Sequence, residues 1–436
     1  IGTTVKKDYS KAFEYFKKAA NQNHPRANYI LGKLYYNGEG VKQDYLIAKE
    51  YLEKSANYND PDALLLLGDL YYYEYGVKKD YLIAKNFYEK SAHLGNPDAV
   101  LMLGKFYYNG EGVEQDYQIA KECFENAASF QNSTAYIFLA MLYYYGKGVE
   151  KDFKKAKELI ELSANSDNSD GYLNMGNICF NGDGENKDFK AAVVWYEIAA
   201  DKNHPIAMIN LGYMYENGLG VQKDYLKARK YYEKAAKQNN SQALLKLGDI
   251  YENGYGVKQD HKKAKEYYES SALLNNSDAM NNLGAMYMSG FGVKQNPSKA
   301  KEYYELAGRL GNSTALANLG DIYYEGIIVE KSYEKSKYFY EQSAMLNNPL
   351  GQYNLAYFYE KGLSGEKNYK KALELYEKSA QQNNVNSLIH LGNLYYNGEI
   401  VKQDYLQAKK YYEIAGKQNS SCAWNNLGNL YENGYG

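Results

Sequence analysis

The sequence predicts an all-α fold, a right-handed α/α superhelix (solenoid) of 36-residue helix-turn-helix repeats. Two residue patterns with helical spacing recur every 36 residues along the 436-residue chain, and no insertion breaks their register. Residues typical of helix ends recur between them with the same period. A fixed period of this length indicates a repeat array, whose hydrophobic core grows in one dimension as units are added.

The first pattern predicts the first helix of each repeat, here called helix A. A leucine or methionine precedes a glycine or alanine, and a tyrosine follows three residues after it, as in Leu247, Gly248 and Tyr251. Residues with this spacing lie on one face of a helix. The small residue of the pattern is Gly32, Gly68, Gly104, Ala140, Gly176, Gly212, Gly248, Gly284, Gly320, Ala356, Gly392 and Gly428.

The second pattern predicts helix B, which follows helix A in each repeat. A small residue is followed by a large aromatic or aliphatic residue four positions later and by another small residue eight positions later, as in Ala84, Tyr88 and Ala92. Small residues at four-residue steps let neighbouring helices approach closely. The first small residue is Ala12, Ala48, Ala84, Ala120, Ala156, Ala192, Ala228, Ala264, Ala300, Ser336, Ala372 and Ala408.

Capping residues predict where each helix begins and ends. Helix A begins at a proline or serine that follows Asn, Asp or His, as in Asn96-Pro97, and ends at an Asn-Gly-x-Gly loop, as in residues 109–112. Glycine tolerates the left-handed conformation that ends a helix. Helix B begins after a capping aspartate at Asp8, Asp44, Asp80, Asp116, Asp152, Asp188, Asp224, Asp260 and Asp404.

The period predicts a single domain that covers residues 1–436. Residues 27–422 form eleven complete repeats, residues 1–26 a partial repeat with a helix B, and residues 423–436 a partial repeat with a helix A. No linker, charge run or change in composition separates these segments. Because Ile1 falls just before a helix B and Gly436 falls inside an inter-helix loop, we expect a fragment of a longer array.

The repeat pattern resembles a known family over essentially the whole chain. The pattern A-x-x-x-L-G-x-x-Y-x-x-G-x-G-V-x-x-D-x-x-x-A-x-x-x-[YFL]-x-x-x-A closely resembles the Sel-one-like repeat (SLR) family, which is related to tetratricopeptide repeats. The resemblance implies an α-solenoid that works as an adaptor and gathers other proteins. In the clearest repeat the pattern consists of Ala243, Leu247, Gly248, Tyr251, Gly254, Gly256, Val257, Asp260, Ala264, Tyr268 and Ala272.

A few residues depart from the family pattern. Ile327-Ile328 and Ile400 replace loop glycines. Pro297 stands where helix B normally has an aromatic residue near its start, and Ser364-Gly365 replaces Gly-Val. These departures affect the expected shape of the loops but leave the period unchanged.

Composition and motifs argue against several function classes. The 51 basic and 53 acidic side chains give a net charge of −2, which favours neither nucleic acid nor an anionic membrane surface. No apolar run is long enough to span a bilayer, so we expect no direct membrane insertion. The histidines and cysteines lack metal-ligand spacing, the Gly-x-Gly loops lack the lysine of a phosphate loop, and no nucleophile motif occurs. We therefore expect no enzyme, no metal and no cofactor.

Tyrosines and asparagines are the candidate partner-binding residues. By analogy with tetratricopeptide arrays, helix A lines the concave side, and the positions offset by −2, +2, +5 and +6 from its leucine face the groove. An asparagine amide can both donate to and accept from a peptide backbone. Alternatively, the tyrosines cover the seams between repeats, and the asparagines cap neighbouring helices or contact only water. The candidate residues are Tyr29, Tyr36, Tyr72, Tyr108, Tyr144, Asn174, Asn210, Asn282, Asn318 and Asn354.

These observations predict a protein-protein interaction scaffold or adaptor that binds a protein or peptide along its concave surface. The groove positions are apolar or aromatic in the first half of the chain and acidic in some later repeats, which suits a peptide with apolar anchors and some positive charge. Two alternatives stay open. The chain could be a targeting or regulatory segment of a larger protein whose catalytic or membrane domain lies outside it. It could also bind carbohydrate, because Tyr and Asn suit sugars as well.

The thiols indicate where the protein works. Cys123, Cys179 and Cys422 show no pairing pattern, which favours the cytoplasm. The alternative is the lumen of the secretory pathway or secretion, where Asn-x-Ser/Thr sequences would accept sugar. Such sequences occur at Asn132, Asn239, Asn275, Asn312 and Asn419.

Overall fold

The computed structural model describes residues 8–184 and 186–435. These residues form 24 α-helices and no β-strand, which confirms the predicted all-α fold of paired helices. The predicted partial repeats at the two ends reach outside the described residues at 1–7 and at 436. The helices are α1 Tyr9–Ala20, α2 Pro25–Asn37, α3 Tyr45–Ala56, α4 Pro61–Tyr72, α5 Tyr81–His93, α6 Pro97–Asn109, α7 Tyr117–Ser129, α8 Ser133–Tyr145, α9 Phe153–Asn165, α10 Ser169–Asn181, α11 Phe189–Asp201, α12 Pro205–Asn217, α13 Tyr225–Ala236, α14 Ser241–Asn253, α15 His261–Ala272, α16 Ser277–Ser289, α17 Pro297–Arg309, α18 Ser313–Glu325, α19 Tyr333–Met345, α20 Pro349–Lys361, α21 Tyr369–Gln381, α22 Val385–Asn397, α23 Tyr405–Gly416 and α24 Ser421–Glu432.

The chain divides into two compact units, Ile1–Lys223 and Asp224–Gly436. The described part of the first unit holds α1–α12, and that of the second holds α13–α24. Within each unit a helix A packs against the helix B that follows it, and that helix B packs against the next helix A, as α4, α5 and α6 do. Each repeat therefore covers its apolar face only together with its neighbours. The assignment of the whole chain to one domain stays a prediction.

The predicted capping residues set the helix ends. Asn96 precedes α6, and its Oδ1 accepts hydrogen bonds from the backbone N–H groups of Asp98 at 3.0 Å and Ala99 at 3.1 Å. Gly110 ends α6 with a left-handed φ of 73°. Asp116 then caps α7 in the same way as Asn96 caps α6. Because these bonds satisfy N–H groups that have no partner inside the helix, the boundaries follow from local chemistry.

The small-residue patterns lie where the two helices of a repeat pack together. A Cβ atom built on Gly68 of α4 would lie 2.5 Å from the ring of Tyr88 in α5. Tyr88 is fully buried, and its hydroxyl donates a hydrogen bond to Asp69 Oδ1 at 2.7 Å. Glycine gives the ring its space, and the neighbouring carboxylate holds the hydroxyl.

Buried serines add a hydrogen bond between the two helices of a repeat. Ser91 of α5 is fully buried, and its Oγ donates to the carbonyl oxygen of Pro61, the first residue of α4, at 2.6 Å. The same bond joins Ser379 to Pro349 at 2.6 Å in the second unit. Each bond satisfies a buried hydroxyl that would otherwise destabilise the core.

The loop after each helix A packs on the preceding helix B. A Cβ atom built on Gly76, which holds the position of the second loop glycine, would lie 2.8 Å from Cβ of Tyr45, the first residue of α3. Beside this contact the rings of Tyr45 and Tyr75 stack with centroids 4.8 Å apart. The second glycine therefore serves both a left-handed turn and a close approach between repeats.

Ile328 occupies the position of this second glycine in its own repeat and adopts a left-handed φ of 57°. A β-branched residue in this conformation costs about 1–2 kcal/mol. Glycine adopts this conformation without strain, but it also gives the unfolded chain more conformational entropy, which offsets part of the gain. We therefore expect Ile328→Gly to raise the free energy of unfolding by about 0.5–1 kcal/mol. Chemical denaturation followed by circular dichroism measures this change. Ile327→Gly is the control, because Ile327 packs against a core cluster and has no left-handed φ. A gain in stability from Ile327→Gly and not from Ile328→Gly would contradict the strain argument.

Candidate functional site

The helix A faces of α8, α10 and α12 in the first unit contain two adjoining cavities. One has a volume of about 180 Å³ and the other about 340 Å³, and both are lined by Asn177 and Asn181. We call the two cavities together the asparagine groove. Its lining residues are Ile137, Ala140, Met141, Tyr144, Tyr145, Ala156, Ile160, Asn174, Asn177, Ile178, Phe180, Asn181, Asp183, Tyr196, Asn210 and Tyr213.

A hydrogen-bond network fixes the amides of the groove. Asn177 Oδ1 accepts from the hydroxyl of Tyr196 at 2.8 Å and from Asn210 Nδ2 at 3.4 Å. Asn174 Nδ2 donates to the carbonyl oxygen of Asp170 at 2.8 Å. Within the described part of the chain, Nδ2 of Asn177 and Oδ1 of Asn174 have no hydrogen-bond partner. The groove therefore offers a ligand one amide donor and one amide acceptor.

Tyrosines form the edges of the groove. Tyr145 has an exposed fraction of 59% and Tyr213 of 44%. Tyr144 is half-buried against Tyr145, with ring centroids 4.8 Å apart. Burial and a hydrogen bond to Asp183 raise the pKa of Tyr144, so its hydroxyl stays protonated at neutral pH. The edges thus combine exposed aromatic surface with fixed hydroxyl groups.

The groove contains three of the residues that the sequence predicted for partner binding. Tyr144, Asn174 and Asn210 all line it. Asn177, Asn181, Tyr145 and Tyr213 were not among the predicted residues. They occupy the +2 and +6 offsets from the helix A leucine or methionine, which the analogy with tetratricopeptide arrays already assigned to the binding face.

The other predicted tyrosines of the first unit pack between repeats. Tyr29 and Tyr108 have exposed fractions of only 8% and 7%. The guanidinium of Arg26 lies 4.3 Å from the ring centre of Tyr29. Lys147 Nζ donates to the hydroxyl of Tyr108 at 3.2 Å. These two rings offer little surface to a partner.

Tyr36 and Tyr72 contact the loop of the following repeat. The ring of Tyr36 lies edge-on to Tyr45 and Tyr75, with centroids 5.5 and 5.9 Å away. The hydroxyl of Tyr72 donates to Glu111 Oε2 at 2.6 Å. Both tyrosines are half-buried and join neighbouring repeats, and their predicted role in partner binding stays a prediction.

The predicted asparagines of the second unit bond to the preceding repeat. Asn282 Nδ2 donates to Asp249 Oδ1 at 3.4 Å, and Asn354 Nδ2 donates to Asp321 Oδ1 at 3.2 Å. Asn318 Nδ2 donates to Asn281 Oδ1 at 3.0 Å. These bonds correspond to the alternative in which asparagines link neighbouring helices, and each uses one N–H group of the amide.

The described residues lack two features of other classes of protein. They contain no group of three or more His, Cys, Asp or Glu side chains arranged to hold a metal ion. Within the same residues, no helix has both the length and the apolar character needed to cross a bilayer.

Comparison with known proteins places the repeats in a family. The Sel1 repeat model matches residues 1–24, 25–59, 61–96, 97–129, 133–168, 169–204, 205–240, 241–276, 277–312, 313–348, 349–384 and 385–420. No curated protein sequence matched the chain. Among solved structures, it is similar to c5321, a protective antigen present in uropathogenic Escherichia coli strains and displaying an SLR fold. The two are 28% identical with a TM-score of 0.56, over 97% of this chain and 90% of that one.

A second solved structure supports the same fold. The Sel1 repeat protein from Oxalobacter formigenes is 31% identical with a TM-score of 0.52, over 56% of this chain and 99% of that one. Both relatives and the twelve matched stretches carry the helix-pair repeat that the glycine and alanine patterns predicted. The chain belongs to the Sel1 repeat family.

Proposed function

We propose that this protein binds an extended peptide segment of a partner protein in the asparagine groove. The Sel1 repeat fold is generally a protein-protein interaction scaffold, and Sel1 repeat proteins bind protein partners. The observation that carries the proposal is the pair of adjoining cavities in which amide groups with free hydrogen-bonding capacity lie beside apolar side chains.

The lining of the groove matches the chemistry of a peptide. Each peptide group carries one N–H donor and one carbonyl acceptor, and Asn174 and Asn177 provide the complementary acceptor and donor. Ile137, Met141 and Ile178 line the smaller cavity and can surround an apolar side chain of the ligand. Hydrogen bonds to the backbone then provide the alignment, and the apolar cavity provides selectivity for one side chain.

The lining also supports binding without catalysis. Asp183 is its one carboxylate, and neither histidine nor cysteine is among the lining residues. Asp183 itself accepts a hydrogen bond from Asn181 Nδ2 at 3.2 Å. An isolated carboxylate that fixes a neighbouring amide gives no pair of groups for general acid-base chemistry.

Selection from a random peptide library, followed by fluorescence anisotropy with a selected peptide, tests the proposal. We expect Tyr145→Ala together with Tyr213→Ala to weaken binding at least about tenfold, because a peptide in the groove would cover both exposed rings and so bury a large aromatic area. Tyr15→Ala together with Tyr58→Ala is the control. It removes two tyrosines with exposed fractions of 67% and 58% from the same unit but away from the groove.

Two outcomes would overturn the proposal. In one, the groove variant binds selected peptides as tightly as the unmodified protein and keeps its melting temperature. In the other, the library yields no binding peptide and a glycan array yields a ligand that the groove variant no longer binds. The second outcome would assign the same residues to carbohydrate.

A further inference from the structure

The second unit contains a cavity of about 600 Å³ whose charged lining is mostly lysine. We call it the lysine cavity. It lies between the start of α15, the end of α16 and the loop that leads into α17. Its lining residues are Lys262, Lys265, Glu266, Tyr287, Gly292, Val293, Lys294, Gln295, Asn296 and Lys299. Four lysines and one glutamate give the lining a net positive charge, whereas the whole chain has a net charge of −2.

Two of the lysines are held in place by neighbours. Lys299 Nζ donates to the hydroxyl of Tyr287 at 2.8 Å and lies 4.4 Å from the centre of its ring. Lys265 Nζ lies 3.0 Å from Glu269 Oε1. Positioned ammonium groups lose less conformational entropy when a ligand binds than freely rotating ones do.

The other two lysines are available to a ligand. Lys262 and Lys294 are exposed, and neither makes an ion pair or a hydrogen bond with the residues that the structure describes. They face the same cavity from α15 and from the loop before α17. An anion placed there meets the charges of Lys262 and Lys294 together with the fixed charge of Lys299, whereas Lys265 is paired with Glu269 and Glu266 also lines the cavity.

A change of capping residue removes the negative charge that other repeats carry at this place. Helix B is capped by aspartate in nine repeats, but α17 is capped by Asn296, whose Oδ1 accepts from the backbone N–H of Lys299 at 3.1 Å. Every other lysine at the position of Lys294 is followed by a capping aspartate two residues later. In the sequence these lysine and aspartate pairs are Lys6 and Asp8, Lys42 and Asp44, Lys78 and Asp80, Lys258 and Asp260, and Lys402 and Asp404.

We propose that the lysine cavity binds the side-chain carboxylates of an acidic segment of a partner protein. Four ammonium groups around one concave site can each donate to carboxylate oxygens, and the volume accommodates a few side chains. Sel1 repeat proteins bind protein partners, and the net charge of the chain does not favour a polyphosphate backbone. This site is independent of the asparagine groove, which belongs to the first unit.

Fluorescence anisotropy with a labelled oligo-aspartate peptide tests the proposal, with an oligo-asparagine peptide of equal length as the uncharged comparison. We expect the intact chain to bind the oligo-aspartate peptide more tightly than the oligo-asparagine peptide. Lys262→Ala with Lys294→Ala should weaken that binding at least about tenfold, because it removes the two available charges. Lys370→Ala with Lys402→Ala is the matched control, since these lysines hold the same two positions three repeats later, beside the capping Asp404. We expect this control to leave binding unchanged.

Asn296→Asp tests the capping residue without removing a lysine. Aspartate caps helix B in most other repeats, so the variant should fold normally and keep its melting temperature. The added carboxylate should weaken oligo-aspartate binding several-fold at low salt and by a smaller factor at high salt.

Three outcomes would overturn the proposal. The first is equal loss of binding in the Lys370 and Lys402 control, which would indicate diffuse attraction by surface charge. The second is unchanged binding in both Lys262→Ala with Lys294→Ala and Asn296→Asp. The third is tighter binding of a single-stranded oligonucleotide through Lys262 and Lys294, which would assign the cavity to nucleic acid.

Discussion

Gly68→Ala is expected to lower the free energy of unfolding by about 1–3 kcal/mol, although alanine is the better helix former. The added Cβ atom would lie 2.5 Å from the ring of Tyr88, which no real contact allows. The ring cannot move aside freely, because Tyr88 is fully buried and its hydroxyl is bonded to Asp69 at 2.7 Å. Denaturation by urea, followed by circular dichroism, measures the loss.

Gly428→Ala is the matched control for this prediction. Gly428 holds the same position in the last helix A, and a Cβ atom built there meets nothing within 4 Å. Helix propensity then acts alone, so we expect unchanged stability or a gain of up to about 1 kcal/mol. If Gly68→Ala stabilised the protein as Gly428→Ala does, the close packing of glycine against tyrosine would not be what requires glycine at this position.

A double variant separates overpacking from other effects of the Gly68 substitution. Ala140 and Ile160 occupy the positions of Gly68 and Tyr88 two repeats later, so the chain already contains an alanine and isoleucine pair. We expect Gly68→Ala to cost less in a Tyr88→Ile background than in the unmodified chain, because the smaller side chain leaves room for the new methyl group. An equal cost in both backgrounds would contradict the contact with the ring.

The period, the helix ends and the core faces could be predicted from the sequence because they depend on neighbours in the chain. Capping by Asn96 involves residues two and three positions away. The left-handed turn at Gly110 is a backbone conformation that glycine adopts without strain. The small-residue patterns recur within single helices, so their faces follow from the helical period. Properties of this kind need no knowledge of the partner helix.

The partners of the polar side chains could not be predicted in the same way. The hydroxyl of Tyr72 bonds to Glu111, which lies 39 residues later in a loop position whose residue type varies between repeats. A pattern on helix A alone cannot distinguish a tyrosine that packs between two repeats from one that faces a partner. Tyr145 directly follows Tyr144 in the sequence, but its side chain leaves the helix in a different direction and is 59% exposed.

The glutamates at the acidic groove positions illustrate the same limit. From the sequence we expected Glu252 and Glu360, five residues after the leucine of their helix A, to offer surface charge to a partner. Glu360 instead has an exposed fraction of only 4%. Its Oε2 accepts from the hydroxyl of Tyr376 at 2.8 Å and lies 2.6 Å from His390 Nε2, and its Oε1 contacts Lys361 Nζ. The carboxylate of Glu360 therefore binds neighbouring side chains of the second unit and offers little charge at the surface.

Glu360→Gln is expected to lower the free energy of unfolding by about 2–3 kcal/mol at neutral pH, because the buried donors lose a charged acceptor. Glu252→Gln is the control. Glu252 holds the same position three repeats earlier and accepts from the hydroxyl of Tyr268 at 2.6 Å, but it is half-buried and Tyr268 also bonds to Asp249. We expect a loss below about 1 kcal/mol for this variant.

The effect of Glu360→Gln should depend on pH with a defined sign. Burial on its own raises the pKa of Glu360, but hydrogen bonds from His390, Lys361 and Tyr376 outweigh it and lower the pKa from 4.5 to about 2. A carboxyl whose pKa is lower in the folded state stabilises the fold fully above its unfolded pKa and loses this contribution as pH falls toward the folded pKa. The stability difference between the unmodified protein and Glu360→Gln should fall by more than half between about pH 5 and about pH 3. A difference that persists unchanged to that pH would mean that shape, and not the charge of Glu360, holds Tyr376 and His390 in place.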